Sequence, residues 1–323
     1  MGNHIEGVQP AILRWAREMQ GYAVSEVAER LKLQESEIEA WEAGTESPTY
    51  SQLEKMAYEI YKRPIATFFL PTPPAEPCLK EQFRTLPDFE LEQLSPNTRY
   101  QLRLADAYRC SLRELCDGVN PAKYNIANDL RISDQNDVRQ AAAAIRAYLN
   151  VPIALQVSWK STDEALKTWR SRVENVGVFV FKHAFKQEGI SGFCLADDEF
   201  PIIYLNNSST RTRQIFTLFH ELAHLLLKVN AITKHDLSYI NLLPAPDKRT
   251  EQFCNALAAE ILIPTTDFTH QLKNTGALSE KAVEALAGRY RVSREAILRR
   301  LLECHLVSKA YYEEKAREWN DNR

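Results

Sequence analysis

No Cys-x-x-Cys pair occurs among the six cysteines of this 323-residue chain, which stand at 78, 110, 116, 194, 254 and 304. Thiols scattered in this way argue against a disulfide framework and for reduced side chains in the cytosol. An excess of one charge sign is missing as well. With 40 Lys+Arg against 43 Asp+Glu the net charge is −3, so the overall balance demands neither a nucleic-acid nor a membrane partner. No stretch approaches the roughly 20 apolar residues of a membrane span, and the opening MGNHIEGVQP lacks the apolar core of a signal peptide. The expectation is a cytoplasmic protein with no membrane partner. Low-complexity tracts and internal repeats are absent too. What is present is 45% hydrophobic and 26% charged residues over a length that suits two or three folded units.

The pentapeptide His220-Glu221-Leu222-Ala223-His224 sits inside the apolar run IFTLFHELAHLLL. Two histidines four residues apart project from one face of a helix and offer two nitrogen ligands to one metal ion. Glu221, one step round from His220, can stay off the metal, reach a water beside it and take that water's proton as it attacks a carbonyl. Ile215, Leu218, Phe219, Leu222, Leu225 and Leu226 would pack such a helix without any metal. A merely structural helix, however, seldom places two imidazoles and a carboxylate in its buried middle, where each unpaired polar group costs a few kcal/mol.

A catalytic zinc needs a third protein ligand and an open position. The stretch TEQFCNALAAEILIP, 250–264, reads as a helix ended by proline and carries two carboxylates, Glu251 and Glu260. Nine residues at about 100° each put them on opposite sides, so one is the ligand candidate and the other is solvent-facing or structural. Spacing alone does not choose between them. Cys254, one turn beyond Glu251, is read as a small buried residue, with a place beside the metal as the alternative.

HELAHLLL followed by EQFCNALAAEILIP resembles the ImmA/IrrE family of bacterial metallo-endopeptidases, whose members show HExxH and then ExxxNxxAAxxLxP. The upstream stretch ISGFCLADDEFPIIYLNN resembles the paired strands before that family's active helix. The resemblance covers roughly residues 160–300. It implies zinc held by His220, His224 and Glu251, with Glu221 as the catalytic base. It further implies that the substrate is a specific regulatory protein, often a DNA-binding repressor encoded beside the peptidase and cleaved under stress or on mobile-element induction. A second donor to the oxyanion is not fixed by the sequence; Tyr204, His235 and Tyr239 are candidates, each with a structural role as the plainer reading.

The first 70 residues show short helical patterns, PAILRWAREM, SEVAERLKL, ESEIEAWEAG and SQLEKMAYEIYKR, before the proline-rich break LPTPPAEP at 70–77. Ser25 suits an N-cap and Gly44 a position just past a helix end. Val27, Ala28, Leu31, Leu33, Ile38, Trp41, Glu42, Gly44 and Pro48 resemble the lambda-repressor-like helix-turn-helix family, which implies that the segment after the turn would read DNA. That segment carries Glu35, Glu37, Glu39 and Glu42, and residues 1–70 hold 7 Lys+Arg against 11 Glu. Such a surface repels phosphate, leaving only Gln34 and Ser36 as contacts, so a protein-docking role is expected ahead of weak DNA binding.

Helical runs between 96 and 149 show alternating charge and no evident chemistry. Ser161 with Glu164 forms a capping box opening a helix through Arg172. VGVFVFK, 176–182, with ISGFCLA and FPIIYLNN, predicts a small antiparallel sheet beside the active helix. The C-terminal LSEKAVEALAGRYRVSREAILRRLLE is a helical pair whose Arg289, Arg291, Arg294, Arg299 and Arg300 read as a solvated face, or else a docking surface. The expected organisation is a helix-turn-helix domain over 1–72, a linker and helical region over 73–158, a zinc peptidase domain over 159–300 and a helical tail over 301–323. The fold class is α+β, a zincin-like core behind an all-α domain. The expected function is a zinc endopeptidase acting on a repressor. The alternatives are a transcription regulator using the peptidase fold as a sensor and a toxin-antitoxin component acting by complex formation.

Overall fold

Short helices joined by tight turns can bury only one face each, so they must pack on one another, and the front of the chain does this. The computed structural model describes residues 4–76, 79–83, 85–235, 238–275 and 279–321. The chain divides into two compact units, Met1–Gln82 with Asp88–Leu104, and Phe83–Pro87 with Ala105–Arg323.

In the first unit α1 (Pro10–Gln20), α2 (Val24–Leu31), α3 (Glu35–Ala43) and α4 (Tyr50–Lys55) enclose Ile12, Leu13, Val27, Ile38, Trp41, Leu53 and Phe68. Lys32, at φ 61°, turns the chain between α2 and α3, and Gly44, at φ 77°, ends α3 where the sequence predicts. Ser25 is not the N-cap of α2. That position is Ala23, whose backbone N–H donates to the Glu26 carboxylate at 2.8 Å, so the acid three residues on replaces the hydroxyl. Glu42 is buried and takes a bidentate pair from Arg17 at 2.7 and 2.9 Å, which removes it from the acidic face expected of α3.

The second unit is built on four strands, β1 (Phe179–His183), β2 (Ile190–Leu195), β3 (Ile202–Asn206) and β4 (Ala231–Lys234), in the order β1-β3-β2-β4. The expected all-antiparallel sheet needs correction. β2 runs antiparallel to both neighbours, but β3 enters between β1 and β2 and lies parallel to β1. The connection from β1 to β2 leaves a strand's width open, and the β2–β3 turn fills it. All of β2 and β3 is buried, and the helix Arg211–Leu226 packs on one face of the sheet, against both strands. Thr210 caps that helix by accepting from the Arg213 N–H at 3.3 Å. Behind it Trp169 stands edge-on to Phe219 at 4.7 Å and to Trp159 at 5.1 Å. Trp169 belongs to the helix Thr162–Glu174, which Ser161 caps as expected, accepting from the Glu164 N–H at 3.1 Å. The Glu164 carboxylate reaches back one residue further, to the Lys160 N–H.

The C-terminal arginines are largely structural and do not form a single solvated face. Arg289 pairs with Asp267, Arg291 donates to the Trp159 carbonyl, Arg294 lies over Trp319, and Arg300 is buried against Glu260 at 2.5 Å. Among the described residues no helix is long and apolar enough to cross a membrane.

Candidate metal centre

His220 and His224 lie one turn apart on the buried side of the helix Arg211–Leu226, and both are fully buried. Their Nε2 atoms face one another at 3.1 Å. Glu251 comes from the helix Ala245–Leu262, which packs against the first and opens after Pro244. Its carboxylate closes the group, with Oε2 at 3.4 Å from His220 Nε2 and Oε1 at 3.1 Å from His224 Nε2. The three residues form a cluster able to hold a metal ion. The dimensions fit zinc: bonds of about 2.0–2.1 Å in a tetrahedron set neighbouring ligand atoms roughly 3.3 Å apart. Two ring nitrogens pointing at each other also make a poor hydrogen bond unless only one bears a proton, whereas both can serve one cation.

Electrostatics agree with that geometry. Burial works against ionisation of Glu251, yet His224 and His220 beside it outweigh burial and hold its carboxyl well below the usual range. Burial drives the His220 ring toward its neutral, ligating form, against the pull of Glu251. At His224 burial is outweighed by the Cys254 sulfur and the Glu251 carboxylate, which raise its affinity for a proton. Tyr239 donates its hydroxyl to Glu251 Oε2 at 3.2 Å. Carboxylates that ligate metals are commonly oriented by such a hydrogen bond.

Glu221 is fully buried, and burial pushes its carboxyl up to about 7. Neither oxygen has a hydrogen bond of normal geometry, although the Thr233 hydroxyl and the Cys194 thiol stand close enough to favour the charged form. The side chain lies over β2, where a Cβ added at Gly192 would stand 3.6 Å from Oε1. A carboxyl poised near neutrality beside the His-His-Glu group has the properties of a general base.

Residues 173–302 match the model of a peptidase family described as the IrrE N-terminal-like domain. No curated protein matches the chain. All four residues of the cluster and its neighbouring base fall inside the IrrE-like segment, and so do the whole sheet and both site helices. The match leaves the first unit outside it.

Of the sequence candidates, the structure brings His220, His224 and Glu251 into one cluster, with Glu221 near enough to feel the charges of His224 and Glu251, and puts Glu260 elsewhere, on Arg300 and Thr265. Cys254 is fully buried beside His224, and burial raises its thiol despite that neighbour. Tyr204 is stacked on Phe193 at 5.0 Å within the sheet, and His235 is exposed with Ser209 Oγ at 3.4 Å. Sequence reasoning did not single out Thr233 and Gly192, which surround Glu221. Isolated Gly192 inside a strand pattern was the available signal, since such a glycine marks close approach of another element.

Proposed function

We propose that the IrrE-like segment is a zinc endopeptidase centre in which His220, His224 and Glu251 hold the metal and Glu221 is the base. The observation that supports it most is the convergence of three buried ligand atoms at 3.1–3.4 Å with a buried carboxyl raised to about 7 next to them. Bound zinc supplies a Lewis acid that polarises the scissile carbonyl and eases ionisation of water. Glu221 takes the proton as water oxygen attacks the carbonyl carbon, and returns it to the amide nitrogen as the C–N bond breaks. Tyr239 holds the Glu251 carboxylate in place through the reaction. By family resemblance the substrate is a regulatory protein, a DNA-binding repressor encoded nearby. The first unit, a lambda-repressor-like module, would dock protein in preference to DNA.

The test uses the product of the adjacent reading frame, incubated with wild type, chelator-treated wild type and Glu221→Gln. Glu221→Gln keeps size and hydrogen bonding but removes the base, so partner cleavage is expected to fall by a factor on the order of 10² or more while zinc content is unchanged. A partner that binds zinc-loaded wild type under inducing conditions and stays whole overturns the peptidase assignment.

A further inference from the structure

β4 ends the sheet, with β2 on one side only, so its outer edge should offer unpaired backbone groups to an added strand. That edge is part of the catalytic surroundings, because Thr233 of β4 contacts Glu221. A peptide laid along β4 would therefore run past the base, which is how peptidases that read extended backbone commonly take substrate. The edge is not open. The Ile232 N–H, which points away from β2, donates to Thr85 Oγ1 at 3.2 Å, and Arg213 Nη2 donates to the Lys234 carbonyl at 2.6 Å. Thr85 belongs to Phe83–Pro87, five residues that cluster with the second unit although the chain on both sides, at Gln82 and Asp88, belongs to the first. Phe83, Thr85 and Leu86 are 1%, 2% and 3% exposed. A surface connection would leave such side chains in water.

We propose that Thr85, with its buried neighbours Phe83 and Leu86, is an internal occupant of the substrate edge of β4, standing where an extended peptide must bind and yielding to it. This rests on the peptidase assignment only in calling the edge a substrate edge. Thr85 supplies the hydroxyl that accepts from Ile232, and its buried neighbours in the chain, Phe83 and Leu86, set the side chains of the peptide that would replace it: an aromatic residue two positions before the hydroxyl and an aliphatic residue just after it. Because the segment leaves the first unit and returns to it, a ligand of that unit has a covalent route to the edge.

Two variants test this in the full-length Glu221→Gln chain, so that no peptide is cut. One replaces residues 83–87 by Gly-Ser-Gly-Ser-Gly; the other is Thr85→Val, which removes the acceptor but keeps Phe83 and Leu86. Hydrogen exchange reads the Ile232 amide, with the amides of 215–226 reporting that the unit is still folded. The probe is a fluorescein-labelled synthetic peptide of residues 80–91. Ile232 is expected to exchange at least about tenfold faster in the Gly-Ser variant and several-fold faster in Thr85→Val. The peptide should bind the Gly-Ser variant at least about tenfold more tightly than the parent chain and protect Ile232 again. If the Gly-Ser variant fails to fold, Thr85→Val alone decides. Unchanged Ile232 exchange in the folded variants, or equal peptide binding with and without the native segment, overturns the proposal. Peptide binding without any partner cleavage by wild type would instead overturn the catalytic assignment and leave the occupied edge standing.

Discussion

A carboxyl sealed from water and short of hydrogen bonds keeps its proton to higher pH than one in a free chain, and at Glu221 burial moves it from 4.5 to about 7. Between those values the folded chain binds a proton at Glu221 that the unfolded chain has released, so stability falls as pH rises through this window and is level above it. Glu221→Gln removes the group from both states. In chelator-treated protein the stability of Glu221→Gln relative to wild type should therefore rise by on the order of 2–3 kcal/mol from pH 4.5 to pH 7. Urea denaturation at a series of pH values checks it, and a flat difference would place Glu221 in contact with water. Glu251 and Glu260 offer a second contrast between two buried acids on one helix. Glu251→Ala should lose the metal and Glu260→Ala should keep it, but the latter takes from Arg300 the buried one of its two carboxylates and leaves only the half-exposed Glu303, at a cost of about 3 kcal/mol. Elemental analysis beside urea denaturation separates the two. The histidines were legible because their spacing is local to one helix. Angular spacing separated Glu251 from Glu260 without choosing, because the choice depends on which side of the helix meets His220.

The helix Arg211–Leu226 can approach the sheet closely only because β2 carries no side chain at Gly192. A Cβ there would stand 2.6 Å from Thr217 Cγ2 and 2.8 Å from the Tyr204 carbonyl oxygen, and the second is backbone that cannot swing away. Gly192→Ala is expected to destabilise the second unit by about 1–3 kcal/mol through overpacking, and to weaken metal retention as the helix is pushed off β2. A melting curve with metal analysis of the same sample reads both effects, and full stability would show that the strand moves freely. Helices with caps were legible as elements: Ser161 and Gly44 sit where their chemistry requires. The strands were found within a few residues, but their directions were not, since pairing depends on which strand fills the gap between β1 and β2. β4 escaped notice because Ala-Ile-Thr-Lys is too short to show a period of two.

Charge belongs to the whole molecule more than to any one element. The chain as a whole is nearly neutral at −3, while residues 1–70 alone hold 7 Lys+Arg and 11 Glu. Part of that acidity is internal. Glu42 is cancelled by Arg17, and Glu37 accepts from the Gln34 backbone at the start of α3. Glu35 and Glu39 remain exposed on α3, the helix that follows the turn. Sequence counting thus overstated the negative face of this helix but gave its sign correctly, because only the fold shows which acids are already paired. A helix with this surface neutralises few phosphates, so few counterions are released on contact with duplex DNA. The full-length protein is expected to bind its own promoter more weakly than micromolar at physiological salt. The slope of log affinity against log salt should be shallow, corresponding to about two or three phosphates. Band-shift titrations at two or more salt concentrations measure both quantities. Nanomolar, sequence-selective binding with a steep slope would mean that basic residues outside α3 engage DNA, and the protein-docking role proposed for this unit would then give way to operator recognition.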